Sequence, residues 1–292
     1  MKIGIVGLGL IGGSMAKALK AAGHEVFGGD CDDNVLQKAV LIGAIDDVLT
    51  DEIVSNIDYL IVSVYPQSTV DLLNELVPKL KDGAIVSDLC GLKRKVVAEM
   101  SKLKKQYPKI QFVALHPMAG NEYSGIKFSS PLLFDGASLL AVNVDSPIEV
   151  LAKVKSIMMG IGFKGMVITT VDEHDKMISY TSQLAHIVSS AYVQNVMADE
   201  IYGFTAGSFR DMTRVARLNP KMWTELLSDN RDYLLVELTD LIRQLNEFKE
   251  CLENNDKDKL YEKLSRGNEI KCDIESGIRQ KTKERFDNGY KS

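Results

Sequence analysis

Four histidines and a pair of nearby arginines are the side chains here best suited to moving protons or gripping anions. His116 ends the apolar run Gln111 to Leu115 and is followed by Pro117, Met118, Ala119 and Gly120, so an imidazole stands where a strand gives way to a loop. Imidazole titrates near neutrality, and such loops are where catalytic groups gather. His186 lies one helical turn from Ser182 and Gln183, which puts three polar groups on one face. His24, in Gly23-His24-Glu25, reads as a surface residue, and His174, near the start of a long helix, as a solvated or capping one. Arg210 and Arg214 are one turn apart, with Asp211 able to pair with either. A salt-bridged face is one reading of that patch. The other is that a guanidinium, with two parallel donors, holds a substrate carboxylate. Trp223, the one tryptophan, suits a helix interface or a pocket wall.

These groups need a scaffold, and the chain opens with one. Lys2 to Val6 is a β-branched run suited to a central parallel strand, and it leads into Gly7-Leu8-Gly9-Leu10-Ile11-Gly12. Gly7 allows a tight turn, Gly9 lets backbone approach a pyrophosphate, and Gly12 lets the next helix, about Leu10 to Ala22, sit close on the strand. The helix start offers free N–H groups to an anion. A second apolar stretch, Glu25 to Gly29, ends in Asp30, close to the roughly 20-residue interval expected for a carboxylate on the adenosine ribose. An acid there repels a 2′-phosphate, and Cys31, Asp32 and Asp33 add no arginine, so NAD is expected over NADP.

An alternation of helices and strands follows. Helices are expected at Asp32 to Ile42, Pro66 to Leu80, Gly91 to Gln106 and Pro147 to Ile161. Strands are expected at Asp58 to Val64, Ala84 to Ser87, Gln111 to Leu115, Ala137 to Val142 and Gly165 to Thr169. Ser63, Val64 and the residues through Gln67 then form a turn facing the cofactor, because ligands in such sheets lie beyond strand carboxyl ends. The rhythm predicts an α/β fold with a doubly wound Rossmann-type sheet over residues 1–170. From Val171 long helical patterns take over, at Asp172 to Met197, Pro220 to Glu253 and Asp256 to Phe286, predicting an all-helical domain over 171–292. Its apolar stripe Leu234, Leu235, Leu238, Leu241, Ile242 and Leu245 reads as core, and one of its helices is expected to pair with a second copy, giving a homodimer.

Composition narrows the class. A net charge of −5 and lysines interleaved with acids argue against nucleic acid or anionic membrane as partners. The chain enters its first strand at once and carries no apolar run of membrane-spanning length, so a cytoplasmic location is expected. Cys31, Cys90, Cys251 and Cys272 lack metal-ligand spacing and are expected to be reduced, with Cys90 notable for lying near the cofactor turns.

The motifs together resemble prephenate dehydrogenases: GLGLIGG at the start, Asp88 to Lys93 (DLCGLK), His116 to Gly120 (HPMAG), Thr181 to His186 (TSQLAH) and Phe209 to Arg214 (FRDMTR). The resemblance runs the length of the chain, in order. It implies NAD-dependent oxidative decarboxylation of prephenate to 4-hydroxyphenylpyruvate in tyrosine biosynthesis, with arogenate as the alternative substrate. It also implies that His116 polarises the substrate hydroxyl, and that Arg214 holds a carboxylate in a pocket shared with Ser182 and His186. Arg210 and Trp223 are counted with that pocket, Gln183 and His186 with the catalytic groups, and Ser63, Val64 and Cys90 with the cofactor contacts. Two departures matter. Gly91 stands where many relatives carry a serine that bonds the catalytic histidine, leaving Cys90 or a water to replace it, and Gln183 stands where relatives often have histidine. A β-hydroxyacid dehydrogenase and a non-catalytic NAD-binding regulator are the competing readings of the two-domain plan.

Overall fold

The computed structural model describes residues 1–121, 123–195 and 201–276. Eight strands form one sheet: β1 (Lys2–Val6), β2 (Glu25–Gly29), β3 (Asp47–Val48), β4 (Tyr59–Val62), β5 (Ile85–Asp88), β6 (Gln111–Pro117), β7 (Ser138–Val144) and β8 (Gly165–Ile168), in the order β3-β2-β1-β4-β5-β6-β7-β8. From β3 through β6 the neighbours are parallel, with Ile3 of β1 opposite both Val26 of β2 and Tyr59 of β4. The crossovers are helices: α1 (Leu10–Ala21), α2 (Asp33–Leu41) with the single turn α3 (Asp51–Val54), α4 (Pro66–Leu76) and α5 (Arg94–Gln106). Both faces of the sheet are covered. Ile3, Ile5, Ile61, Val113 and Leu115 pack on one side with Met15 and Leu19 of α1, and Leu60, Val62, Val86, Phe112 and Ala114 pack on the other with Leu73, Val96 and Met100. Burial on both faces is why these strands read as unbroken apolar runs.

The pattern changes at β7. It pairs antiparallel with β6, Leu115 facing Ala141 and His116 facing Leu140, and β8 then runs parallel to β7. Among its described residues the stretch between β6 and β7 holds one short 3-10 turn, Ile126–Phe128, and without a crossover helix there the chain returns antiparallel. The helix α6 (Ile148–Met159) restores the crossover before β8. So the doubly wound sheet carries two reversed edge strands.

After β8 come α7 (Val171–Ile178), a π-helical stretch (Ser179–Gln183) and α8 (Leu184–Val193), where one helix to Met197 was expected; Met197 lies outside the described residues. The short helix α9 (Gly207–Thr213) leads into a 3-10 turn, Arg214–Ala216. The helix expected from Pro220 to Glu253 is two, α10 (Pro220–Asp229) and α11 (Arg231–Glu253), because Asn230 is buried and leaves helical geometry. The last helix among the described residues is α12 (Lys257–Glu275), and Phe286, the expected end, lies outside them.

Contacts divide the chain into Met1–Asn230 and Arg231–Ser292, whereas the pattern of the sequence suggested a division after 170. The helices between 171 and 229 stay with the sheet because polar side chains tie them there. Asp175 takes the backbone N–H of both Lys93 and Arg94, at 2.8 and 3.0 Å, and Glu225 takes that of Gln67 at 2.8 Å. In the second unit, α11 and α12 expose Leu235, Val236, Leu245, Leu252 and Leu264, so the stripe expected as core is only partly covered; Leu234 is buried. No helix among the described residues is long and apolar enough to cross a membrane.

Candidate active site

The cofactor end is built by the turn after β1. Gly7 has φ +90°, a conformation that favours glycine, and a Cβ there would collide with Ser63 O and the Val64 side chain. A Cβ on Gly12 would meet the Gly7 carbonyl, while Gly9 faces open space. The loop is therefore packed on Ser63 and Val64 on one side and free at Gly9 on the other. Asp30 accepts from Leu8 N at 2.7 Å, so the carboxylate at the end of β2 also holds the glycine turn in shape. Helix α1 starts at Leu10 with no side-chain cap, leaving the amides of its first turn available to an anion. An open backbone cradle, an uncapped helix start and a carboxylate beside them fit the pyrophosphate and ribose of NAD.

A cluster of titratable groups lies at the carboxyl ends of β5 and β6. His116 is half-buried, and its Nδ1 is 2.9 Å from His174 Nε2. His174 Nδ1 is in turn 2.7 Å from Asp175 Oδ1. His174 is 2% exposed, not the solvated or capping residue expected; Thr170 caps α7 instead, accepting from Glu173 N. Desolvation, then the neighbouring His174 and the charge of Lys93, hold the His116 pKa well below its usual value. His174 is lowered as well, by burial, against the pull of its bond to Asp175. Both imidazoles are neutral near pH 7.

Beneath them is an ion pair shut away from water. Lys93 and Asp88 are 1% and 0% exposed at their side chains, and Lys93 Nζ bonds Asp88 Oδ2 and the carbonyl of Leu115, the residue before His116. The expected helix start at Gly91 is displaced to Arg94 because the amides of Cys90 and Lys93 are taken by the Asp88 and Asp175 carboxylates. Cys90 does not reach His116. Its thiol contacts Thr69 Oγ1 at 3.2 Å and the Val64 carbonyl at 3.5 Å, and burial pushes its pKa up to about 12. It backs the cofactor turn with an unreactive thiol rather than replacing the missing serine.

A second imidazole occupies different surroundings. His186 Nδ1 donates to the Ser182 carbonyl at 2.9 Å, and its ring packs on Trp223 with centroids 3.9 Å apart. Burial first, and the charge of Arg214 as well, lower its pKa, so it is also a neutral ring with Nε2 free to accept. Arg214 and Arg210 are exposed, and neither enters an ion pair with Asp211 or with another acid among the described residues. Gln183, expected among the catalytic groups, is 2% exposed with both ends of its amide engaged: Nε2 donates to Leu226 O and Oε1 accepts from Asn230. It braces α10 against the π-helical stretch instead of facing a substrate. Asn230 completes that brace, donating also to the Asp175 carbonyl and accepting from Arg94.

His174, Asp175 and Asn230 were not singled out for chemistry in the sequence. The signal available was a histidine beside an acid, His174-Asp175, in the first turn of a helix whose opposite face is polar. That pattern is common on solvated helices and gains meaning only when its partner on β6 is known.

Two family models cover this architecture: prephenate dehydrogenase, nucleotide-binding domain, over residues 15–167, and prephenate dehydrogenase, dimerization domain, over residues 170–266. The chain belongs to the prephenate dehydrogenase family. It is 30% identical over 270 residues to the prephenate dehydrogenase of Bacillus subtilis, covering 88% of this chain and 71% of that one. Among solved structures it is similar to Synechocystis arogenate dehydrogenase, with 26% identity, TM-score 0.78 and coverage of 94% of this chain and 100% of the other. It is also similar to the prephenate dehydrogenase of A. aeolicus in complex with hydroxyphenyl propionate and NAD+, with 25% identity, TM-score 0.81 and coverage of 94% and 98%. The fold and the expected cofactor, NAD, stand together with membership of this family of oxidoreductases.

Proposed function

We propose that the protein oxidises and decarboxylates prephenate to 4-hydroxyphenylpyruvate, with arogenate as the alternative substrate. The observation that carries this reading is a neutral imidazole, His116, at the carboxyl end of a sheet strand, backed by a buried partner on Nδ1. Prephenate presents a ring hydroxyl, a ring carboxylate and a pyruvyl carboxylate. His116 accepts the hydroxyl proton on Nε2 as the carbon beneath it is oxidised. The Gly7–Gly12 turn and Asp30 would hold NAD, which when bound would supply the acceptor for the hydride of that carbon. The ring carboxylate leaves as carbon dioxide, the pair from its broken C–C bond aromatises the ring, and His116 returns its proton to the phenolate oxygen. Proton transfer by a positioned base of this kind contributes about 10²–10⁴-fold to rate.

Arg214, exposed and without an acidic partner among the described residues, is assigned to a substrate carboxylate, with His186 and Ser182 beside it and Trp223 as the wall against which His186 is fixed. Arg210, exposed on the same segment, is a second cation for that end. The exposed apolar residues of α11 and α12 support a homodimer formed through the helical part.

The deciding experiment follows NADH absorbance with prephenate, arogenate or a simple hydroxyacid. Turnover of prephenate above the other two supports the reading. Preference for arogenate moves it to the alternative, and NAD binding without turnover of any of the three returns the protein to the class of non-catalytic NAD-binding regulators.

A further inference from the structure

Gly91 offers no side chain to orient His116, and the Cys90 thiol is turned toward Thr69 and Val64. Resting on the reading of His116 as the base, we propose that His174 and Asp175 are positioning residues, a carboxylate–imidazole–imidazole chain that keeps a proton on His116 Nδ1 and leaves Nε2 bare toward the substrate hydroxyl.

The direction of each bond follows from what its atoms can do. An ionised carboxylate only accepts. Burial works against ionisation of Asp175, but His174 and the backbone N–H groups of Lys93 and Arg94 outweigh it and hold its pKa below the usual value. His174 Nδ1 must therefore carry the proton in its 2.7 Å contact with Asp175 Oδ1. Because His174 is neutral, its Nε2 is a lone pair, and this lone pair lies 2.9 Å from His116 Nδ1. Two lone pairs at that distance would repel, so His116 Nδ1 is the donor. A neutral ring with hydrogen on Nδ1 has its basic site on Nε2. Were His174 to be protonated instead, His116 Nδ1 would have to accept, the hydrogen would sit on Nε2, and no base would face the substrate. The chain thus selects a tautomer. It does not carry the substrate proton away, because His116 holds that proton on Nε2 and returns it.

The groups that surround His174 are consistent with its staying neutral. Lys93 from the β5–α5 connection disfavours a second positive charge; of the acids that favour one, Asp175 is bonded by backbone amides and Asp88 by Lys93 through Oδ2, its Oδ1 being without a partner. Asn230 and Arg94 fix the Asp175 end, through the Asp175 carbonyl and the carboxylate respectively.

The test is ¹⁵N NMR of the histidine side chains in the full-length protein without ligand, with the His116 signals assigned by their loss in His116→Asn. The expected result is a protonated Nδ1 and an unprotonated Nε2 for His116 near neutral pH. A proton on Nε2 overturns the proposal, and this measurement on the unmutated protein stands even if every variant at 174 fails to fold. Kinetics give the second arm. His174→Phe, which keeps a ring but no acceptor, is expected to lower kcat by about 10- to 100-fold with little change in KM, as is usual for partners that orient a catalytic group. His174→Gln, which restores an acceptor oxygen, should recover part of that loss. Unchanged kcat in His174→Phe overturns the proposal. Near-normal turnover in His116→Asn sinks the underlying reading of the base instead, whatever tautomer His116 adopts.

Discussion

Two imidazoles of this protein are held in opposite ways. His116 is backed by a buried side-chain chain, His174 and Asp175, above a Lys93–Asp88 pair with no access to water. His186 is backed by a main-chain carbonyl and a half-buried tryptophan, with an exposed arginine nearby. Both are neutral rings with one nitrogen committed and one free. The difference is the surroundings: a dry, charge-compensated setting strengthens and fixes a single proton acceptor, whereas a half-open setting beside a cation suits holding an anionic group. On the proposed function, the contrast separates a chemical end from a binding end.

The contrast can be broken most directly at His116. His116→Asn is expected to lower kcat by about 10²–10⁴-fold, measured as NADH formation at saturating substrate. A normal kcat would leave no chemical end to contrast. The buried pair beneath it should show in stability. Lys93→Met leaves the Asp88 carboxylate alone in the core and is expected to cost about 3–5 kcal/mol in urea unfolding. Adding Asp88→Asn should recover much of that, since the penalty belongs to the stranded charge. No loss in the single variant would mean that the pair is not closed to water.

At the binding end the expected effect is smaller and of another kind. Arg214→Ala removes a charge-assisted contact of about 1.5–3 kcal/mol and should raise KM about 10- to 100-fold while changing kcat less. A fall confined to kcat would place Arg214 at the chemical end. The finest distinction is in pH. His116 must be neutral to accept a proton, and its pKa is depressed by desolvation and by its neighbours His174 and Lys93. Activity is therefore retained as pH falls through roughly 6.5, the ordinary value, and is lost only below it, where the folded-state ring takes up a proton. Stability runs in the same direction: the unfolded ring protonates first, so stability falls with pH from about 6.5 downward until the folded pKa is reached. An acid limb at or above 6.5 would show that the ring is hydrated.

Much of this was readable in the linear chain because it depends on near neighbours. The glycine turn needs residues 7, 9 and 12 between a strand and a helix, all within one stretch, and Asp30 closes the next strand. The strands were legible as apolar runs because both faces of a parallel sheet are buried, and His116 was legible as a strand-end imidazole. Small-scale patterns could not show the reversal at β7, where a loop long enough for either outcome returns antiparallel. Nor could they show the breaks at Ser179–Gln183 and at Asn230, because helical propensity there is overridden by bonds to groups far along the chain.

The order of residues was enough to give the nucleotide-binding scaffold, an imidazole at the end of β6 and two arginines one turn apart, since each is a property of one segment and its charge. The partner of His116 required folding. His174 lies 58 positions away, Asp175 meets amides 81 and 82 positions away, and Gln183 meets a carbonyl 43 away, so what each polar group does is fixed by which one arrives opposite it. A histidine beside an aspartate has the same spelling on a wet helix and in a buried hydrogen-bonded chain. Burial removes the water that would otherwise satisfy those atoms, and the bonds they must then make to each other set where the proton resides.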